Sequence, residues 1–134
     1  MSYYSSTTLS ETTFENAIEA VTSELSKEGF GIISEIDVSA TFKKKIDVDF
    51  KKYTILGACN PPLAFKAVNA SPEVGMFLPC NVTVEETGPG ASTVRFLDPD
   101  LIMGQAAFGE MPEMMEVAVE AKERLMRAAD ALRA

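Results

Sequence analysis

Cysteine and asparagine stand side by side twice in this chain, as Cys59-Asn60 in LGACNPPLAF and as Cys80-Asn81 in FLPCNVTVEE. These are its only two cysteines, and with no histidine or tryptophan the thiols are its most reactive side chains. Nucleophilic, redox or soft-metal chemistry would use them most readily. Asn60 followed by Pro61 and Pro62 reads as a helix start, with Asn60 as cap and the prolines in a first turn that can spare their N–H groups. Cys59 then lies just before a helix N-terminus, where the backbone dipole favours a thiolate. The prolines limit that effect, because they leave Leu63 and Ala64 as the remaining donors. The competing reading is a small buried residue closing a strand.

Cys80 follows Pro79 and opens a strand on which Leu78, Cys80, Val82 and Val84 share a face, so packing accounts for it. Tyr53, Ile55, Gly57 and Cys59 share a face of an earlier strand that Cys59 closes. If the two strands are antiparallel neighbours, both cysteines reach the same end of one sheet. The candidate reactive or ligand-binding set is therefore Cys59, Asn60, Pro61, Cys80 and Asn81.

Other chemistry is harder to build. A Cys-His dyad is excluded within one chain, and so is histidine general-base catalysis. Zinc wants four ligands, and the chain offers two thiols without C-x-x-C spacing, so neither a metal site nor a cofactor is expected. Met103, Met111, Met114, Met115 and Met126 could join a thiol around Cu(I), but methionine at helical spacing is usually core filler. Glu85 and Glu86 beside the second motif read as a charged strand edge. Lys43, Lys44, Lys45, Lys51 and Lys52 read as a solvated face rather than an anion patch. Gly88-Pro89-Gly90 lacks the helix and the Lys-Ser/Thr of a phosphate loop.

The elements that position these residues follow from length and pattern. A chain of 134 residues suits one domain spanning 1–134, and 46 % apolar with 24 % charged content is ordinary for a globular protein. A net charge of −8 argues against nucleic-acid binding and favours a cytoplasmic setting. The start, MSYYSSTTLSE, does not read as a signal peptide, and no run reaches the roughly 20 apolar residues of a membrane span.

Residues 2–9 predict a first strand. Phe14, Ala17, Ile18, Val21 and Leu25 predict a helix over 13–28, opened by a Thr12/Glu15 capping box and stopped at Gly29-Phe30. A strand over 30–38 follows, then helical turns marked by Phe42, Ile46 and Phe50, a strand over 53–58, and a helix from Pro61 to about Ala70. Strands over 76–86 and 92–97 form a hairpin across Thr87–Ala91, read as longer than a two-residue turn. The last helix, Pro112 to Leu132, buries Met114, Ala118, Ala121, Leu125, Ala128 and Leu132, with Glu120/Arg124 and Glu123/Arg127 paired on its wet side. The order predicts an α+β two-layer sandwich, a mainly antiparallel sheet of about five strands packed against two long helices and a short one.

At YTILGACNP (53–61) and LPCNV (78–82) the chain resembles the domain of unknown function 302 family, a set of small bacterial and archaeal proteins. The resemblance continues through Gly29-Phe30-Gly31, the lysine-bearing segment after Val38, the hairpin and the C-terminal helix; it is weakest over Asp98 to Glu110. It implies a compact α+β homodimer and marks Cys59, Asn60, Pro61 and Cys80 as family signature positions. It implies no activity, substrate or cofactor. Apolar Phe108, Met111, Met114 and Met115 near the last helix add a hint of a dimer surface. The expected function is a cytoplasmic, homodimeric small-ligand or partner-binding protein without established catalysis and without nucleic-acid or membrane partners. The alternative is thiol-based redox, persulfide or soft-metal handling through Cys59 or Cys80.

Overall fold

Five strands rich in β-branched and aromatic residues pair into one sheet. The computed structural model describes residues 3–133, so residue 2 of the expected first strand lies outside the described residues. In chain order the elements are β1 (Tyr4–Leu9), α1 (Phe14–Lys27), β2 (Gly31–Asp37), α2 (Val38–Ile46), β3 (Tyr53–Cys59) and α3 (Pro61–Ala70). A 3-10 turn (Pro72–Phe77) follows, then β4 (Cys80–Gly88), β5 (Ala91–Leu97), α4 (Pro99–Met103), α5 (Gln105–Phe108) and α6 (Pro112–Arg133). The sheet order is β1-β5-β4-β3-β2, antiparallel throughout, which is the expected α+β sandwich.

Helices α1 and α6 pack on each other, and α3 packs on α6. Leu56 and Ala58 of β3, Val82 and Val84 of β4, and Val94 and Phe96 of β5 meet Val21, Leu25, Met114, Val117 and Leu125 in one core. The opposite face carries Tyr4, Ile55, Thr83 and Arg95, with α2 beside its β3 corner. The stop at the end of α1 is as expected: Phe30 N–H donates to Leu25 C=O at 2.9 Å and Gly29 N–H to Ser26 C=O at 3.0 Å. Gly29 takes φ +82°, a left-handed conformation that glycine enters without penalty, while Phe30 packs back into the core.

Several local expectations need correction, each because a tertiary partner or a turn competes. Thr13 rather than Thr12 caps α1, accepting from Asn16 N–H at 3.2 Å, and Glu15 turns outward to Lys52 Nζ at 2.7 Å. β4 begins at Cys80, not residue 76, because Pro72–Phe77 coils into the 3-10 turn. The hairpin is tighter than expected: Gly88 pairs with Ala91 across Pro89-Gly90, with Gly90 at φ +67° and an irregularity between Glu86 and Gly88. Glu120 does pair with Arg124 at 3.1 Å, but Arg127 reaches across to Glu28, the cap just after α1, at 2.8 Å instead of to Glu123. The stretch from Asp98 onward, for which no element was expected, forms α4 and α5 and sends Ile102 and Met103 into the core.

Candidate functional site

The register of β3 against β4 decides where the thiols lie. Ala58 stands directly opposite Cys80, and Cys59 is the next residue along. One opposed pair and one chain step keep the two cysteine Cα atoms within about 9 Å. The covered face of β3 is Thr54, Leu56 and Ala58, so Cys80 starts on the helix side while Cys59 starts on the other. Even so, both cysteines line one cleft at this end of the sheet. Gly57 lets Ser34 and Pro79 lie close against β3: a Cβ there would collide with Ser34 Oγ and with the Pro79 ring.

The cleft is a cavity of about 220 Å³ lined by Phe30 and Ile33 from the β2 strand region, Ala58 and Cys59 from β3, and Leu63 and Ala64 from α3. Leu78, Pro79 and Cys80 close a second side, and Met103, Val117 and Ala121 form its helical wall. Both cysteines are free thiols; Cys80 is buried and Cys59 half-buried. Burial, followed by the neighbouring Cys59, pushes the Cys80 thiol up to about 11, so it stays protonated at neutral pH.

The other candidate residues go elsewhere. Asn60 caps α3, its Oδ1 accepting from Leu63 N–H at 3.2 Å, and its buried amide rests against Gly29. Ala64 N–H donates to the Asn60 C=O at 2.8 Å, so both backbone donors left by Pro61 and Pro62 are occupied and the helix start offers no anion site. Pro61 is exposed on the first turn of α3, and Asn81 is exposed on the opposite sheet face. Sequence reasoning missed Ile33, Met103, Val117 and Ala121 as cavity residues. Only periodicity could have flagged Val117 and Ala121, and nothing in the sequence places Met103 beside the thiols.

Two other features have plainer explanations. The lysine segment is solvated and paired, with Lys43 bridging Asp47 at 3.0 Å and Asp49 at 3.1 Å. A wider groove of about 920 Å³ runs between α3 and α6, with Leu63, Met115 and Val119 along it and Glu110, Glu116, Glu120 and Glu123 at its sides. It holds no cysteine, and its Lys66 pairs with Glu116 at 2.5 Å, so size alone does not make it the reactive centre. Among the described residues no group of three or more His, Cys, Asp or Glu could hold a metal ion.

Residues 5–132 match the family described as Domain of unknown function DUF302. The chain belongs to the DUF302 family. A crystal structure of the uncharacterized conserved protein DUF302 from Bacillus stearothermophilus is similar to it at 27 % identity, with a TM-score of 0.82 over 97 % of this chain and 98 % of that one. Among curated proteins none matches. The DUF302 match runs through the whole sandwich, including both Cys-Asn motifs and the segment from Asp98 to Glu110. Among the described residues no helix is long and apolar enough to cross a membrane.

Proposed function

We propose that this DUF302 protein binds a small, uncharged, apolar molecule in the cleft at the Cys59 and Cys80 end of the sheet, without catalysing a reaction on it. The observation that carries this reading is the cleft itself, about 220 Å³ lined by apolar side chains and two thiols. An apolar cavity of roughly 150 Å³ suffices for benzene, so this one suits an alkylbenzene or a short branched hydrocarbon chain. A protonated Cys80 adds to the wall a soft, polarizable surface rather than a charge. The reading includes a homodimer and a cytoplasmic setting, supported by exposed Phe65, Met76 and Val119 on the helix side and by the free thiols and acidic balance.

Thermal unfolding with p-xylene tests the binding. A ligand held at about ten times its Kd adds about 1.4 kcal/mol, a rise of a few degrees in Tm. The expected result is that rise in the wild type and none in Ala64→Phe, whose ring would occupy the cleft. No rise, or an equal rise in both, would contradict the proposal.

One observation favours a second reading, soft-metal binding: Met103 lines the same cavity as both cysteines, bringing three sulfur atoms to one place. Against it, the burial that raises the Cys80 thiol opposes the thiolate a metal needs. Competition for Cu(I) against a chromogenic chelator separates the two. Tight binding lost in Cys59→Ser and Met103→Leu would favour the metal.

A further inference from the structure

The chain has three tyrosines, and all three line one concavity of about 330 Å³ on the sheet face turned away from the helices. They come from distant parts of the sequence. Tyr4 opens β1 at one edge of the sheet, with Tyr3 just before it, Tyr53 enters on β3, and between them β4 and β5 supply Asn81 and Arg95.

The two walls are built differently, and both are braced. On one side the Tyr3 and Tyr4 rings sit 4.9 Å apart at 56°, with Tyr3 held by a bond from Asp98 N–H to its C=O at 3.0 Å. On the other, Tyr53 leans on Phe50 at 6.3 Å, and Phe50 meets Phe42 edge-on at 5.4 Å. The floor carries Arg95, the charged residue among those that line the concavity. Its Nη1 donates to Glu85 at 2.6 Å, and the same carboxylate takes Lys51 Nζ, outside the lining, at 2.5 Å. These two cations share one anion, so the trio carries one positive charge in excess. Glu85 fixes the guanidinium through Nη1, and among the described residues no other group bonds its side chain. Exposed Asn81, opposite Gly57, adds an amide donor at the rim.

We infer that this concavity is a second binding site, separate from the cleft at Cys59, for a small aromatic carboxylate: the ring lies between the tyrosine walls and the acid group meets Arg95 and Asn81. A single surplus cation matches a monoanion. A flat ring matches walls about three strand spacings apart, roughly 14 Å, once the tyrosines fill part of that width.

The chain reports on this site by itself. With no tryptophan, its intrinsic emission comes from the three tyrosines of the concavity. Titration with 2-naphthoate is expected to give a saturable loss of tyrosine emission by energy transfer, together with amide shifts on β4 and β5 in nitrogen-15 spectra. Neutral 2-naphthalenemethanol is expected to bind about tenfold more weakly, and Arg95→Gln to weaken 2-naphthoate by about tenfold or more, since a charge-assisted bond is lost. Ala64→Phe, which fills the other cleft, should leave this titration unchanged. Absence of saturable quenching at millimolar 2-naphthoate would overturn the inference. So would equal affinity in Arg95→Gln, or loss of binding in Ala64→Phe. Should Arg95→Gln unfold, exposed Asn81→Leu takes its place, with a severalfold loss expected and an unchanged affinity counting against the site.

Discussion

A neutral thiol and a thiolate make very different cavity walls, and burial decides between them at Cys80. Its proton is held to about 11 against an ordinary value of 9.0, so the folded chain binds that proton more tightly than the unfolded chain does. The stability this contributes is fully present below pH 9 and is lost as pH rises from about 9 through about 11. The loss is on the order of 2 to 3 kcal/mol. Denaturant unfolding at pH 8 and pH 11 should therefore show a steeper decline for the wild type than for Cys80→Ala, and parallel declines would contradict the burial argument. The candidate residues were partly legible at this scale. Cys80 reads as a core residue from its neighbours Val82 and Val84, and Asn60 reads as a cap from the prolines that follow it. The tyrosine and arginine cluster was not legible. Tyr4 and Arg95 come together only through the pairing of β1 with β5, which no local pattern announces.

At the scale of elements, the joint between α1 and β2 shows how a helix end also positions the candidate site. Gly29 holds φ +82°, and a Cβ there would lie 2.8 Å from Asn60 Nδ2 and 3.3 Å from Arg124 Nη1. Arg124 in turn donates to Glu28 C=O at 2.9 Å, so α6 ties down the last carbonyls of α1. Gly29→Ala is expected to cost roughly 1 to 2 kcal/mol from the left-handed conformation alone. Displacement of Asn60 would add to that, and a midpoint unchanged from the wild type in urea would contradict it. Helix ends like these were readable because glycine, asparagine and proline act within a few residues. Reading failed where a distant side chain competed: Glu15 is drawn out by Lys52, and Arg127 by Glu28. It failed again at residues 99–108, where two short helices have too few turns for a periodic stripe to show.

At the scale of the whole molecule, the sandwich leaves a sheet face with the three tyrosines and Arg95, and a helix side with a groove edged by glutamates. The fold class and the five antiparallel strands followed from element order, whereas strand order had to come from the structure. Of the residues first marked as a dimer surface, Met114 is buried, Phe108 and Met111 pack half-buried against the core, and only Met115 stays exposed. Apolar exposure is spread over the molecule, with Ile33 and Ile36 on β2 and Ile46, Val48 and Phe50 at or after the end of α2. The most exposed large apolar side chains, Phe65 and Met76, lie with Val119 on the helix side, where the proposed homodimer contact is placed. Sedimentation at micromolar concentration should show a dimer that Phe65→Glu dissociates; a wild-type monomer would contradict it.

The proposed function stands on the cleft at the thiol end of the sheet. A crystal structure determined with p-xylene tests it most directly. Density for the ring is expected between Cys59 and Cys80, against Leu63, Met103 and Val117. A cleft without that density, with p-xylene bound only in the groove between α3 and α6, would contradict it.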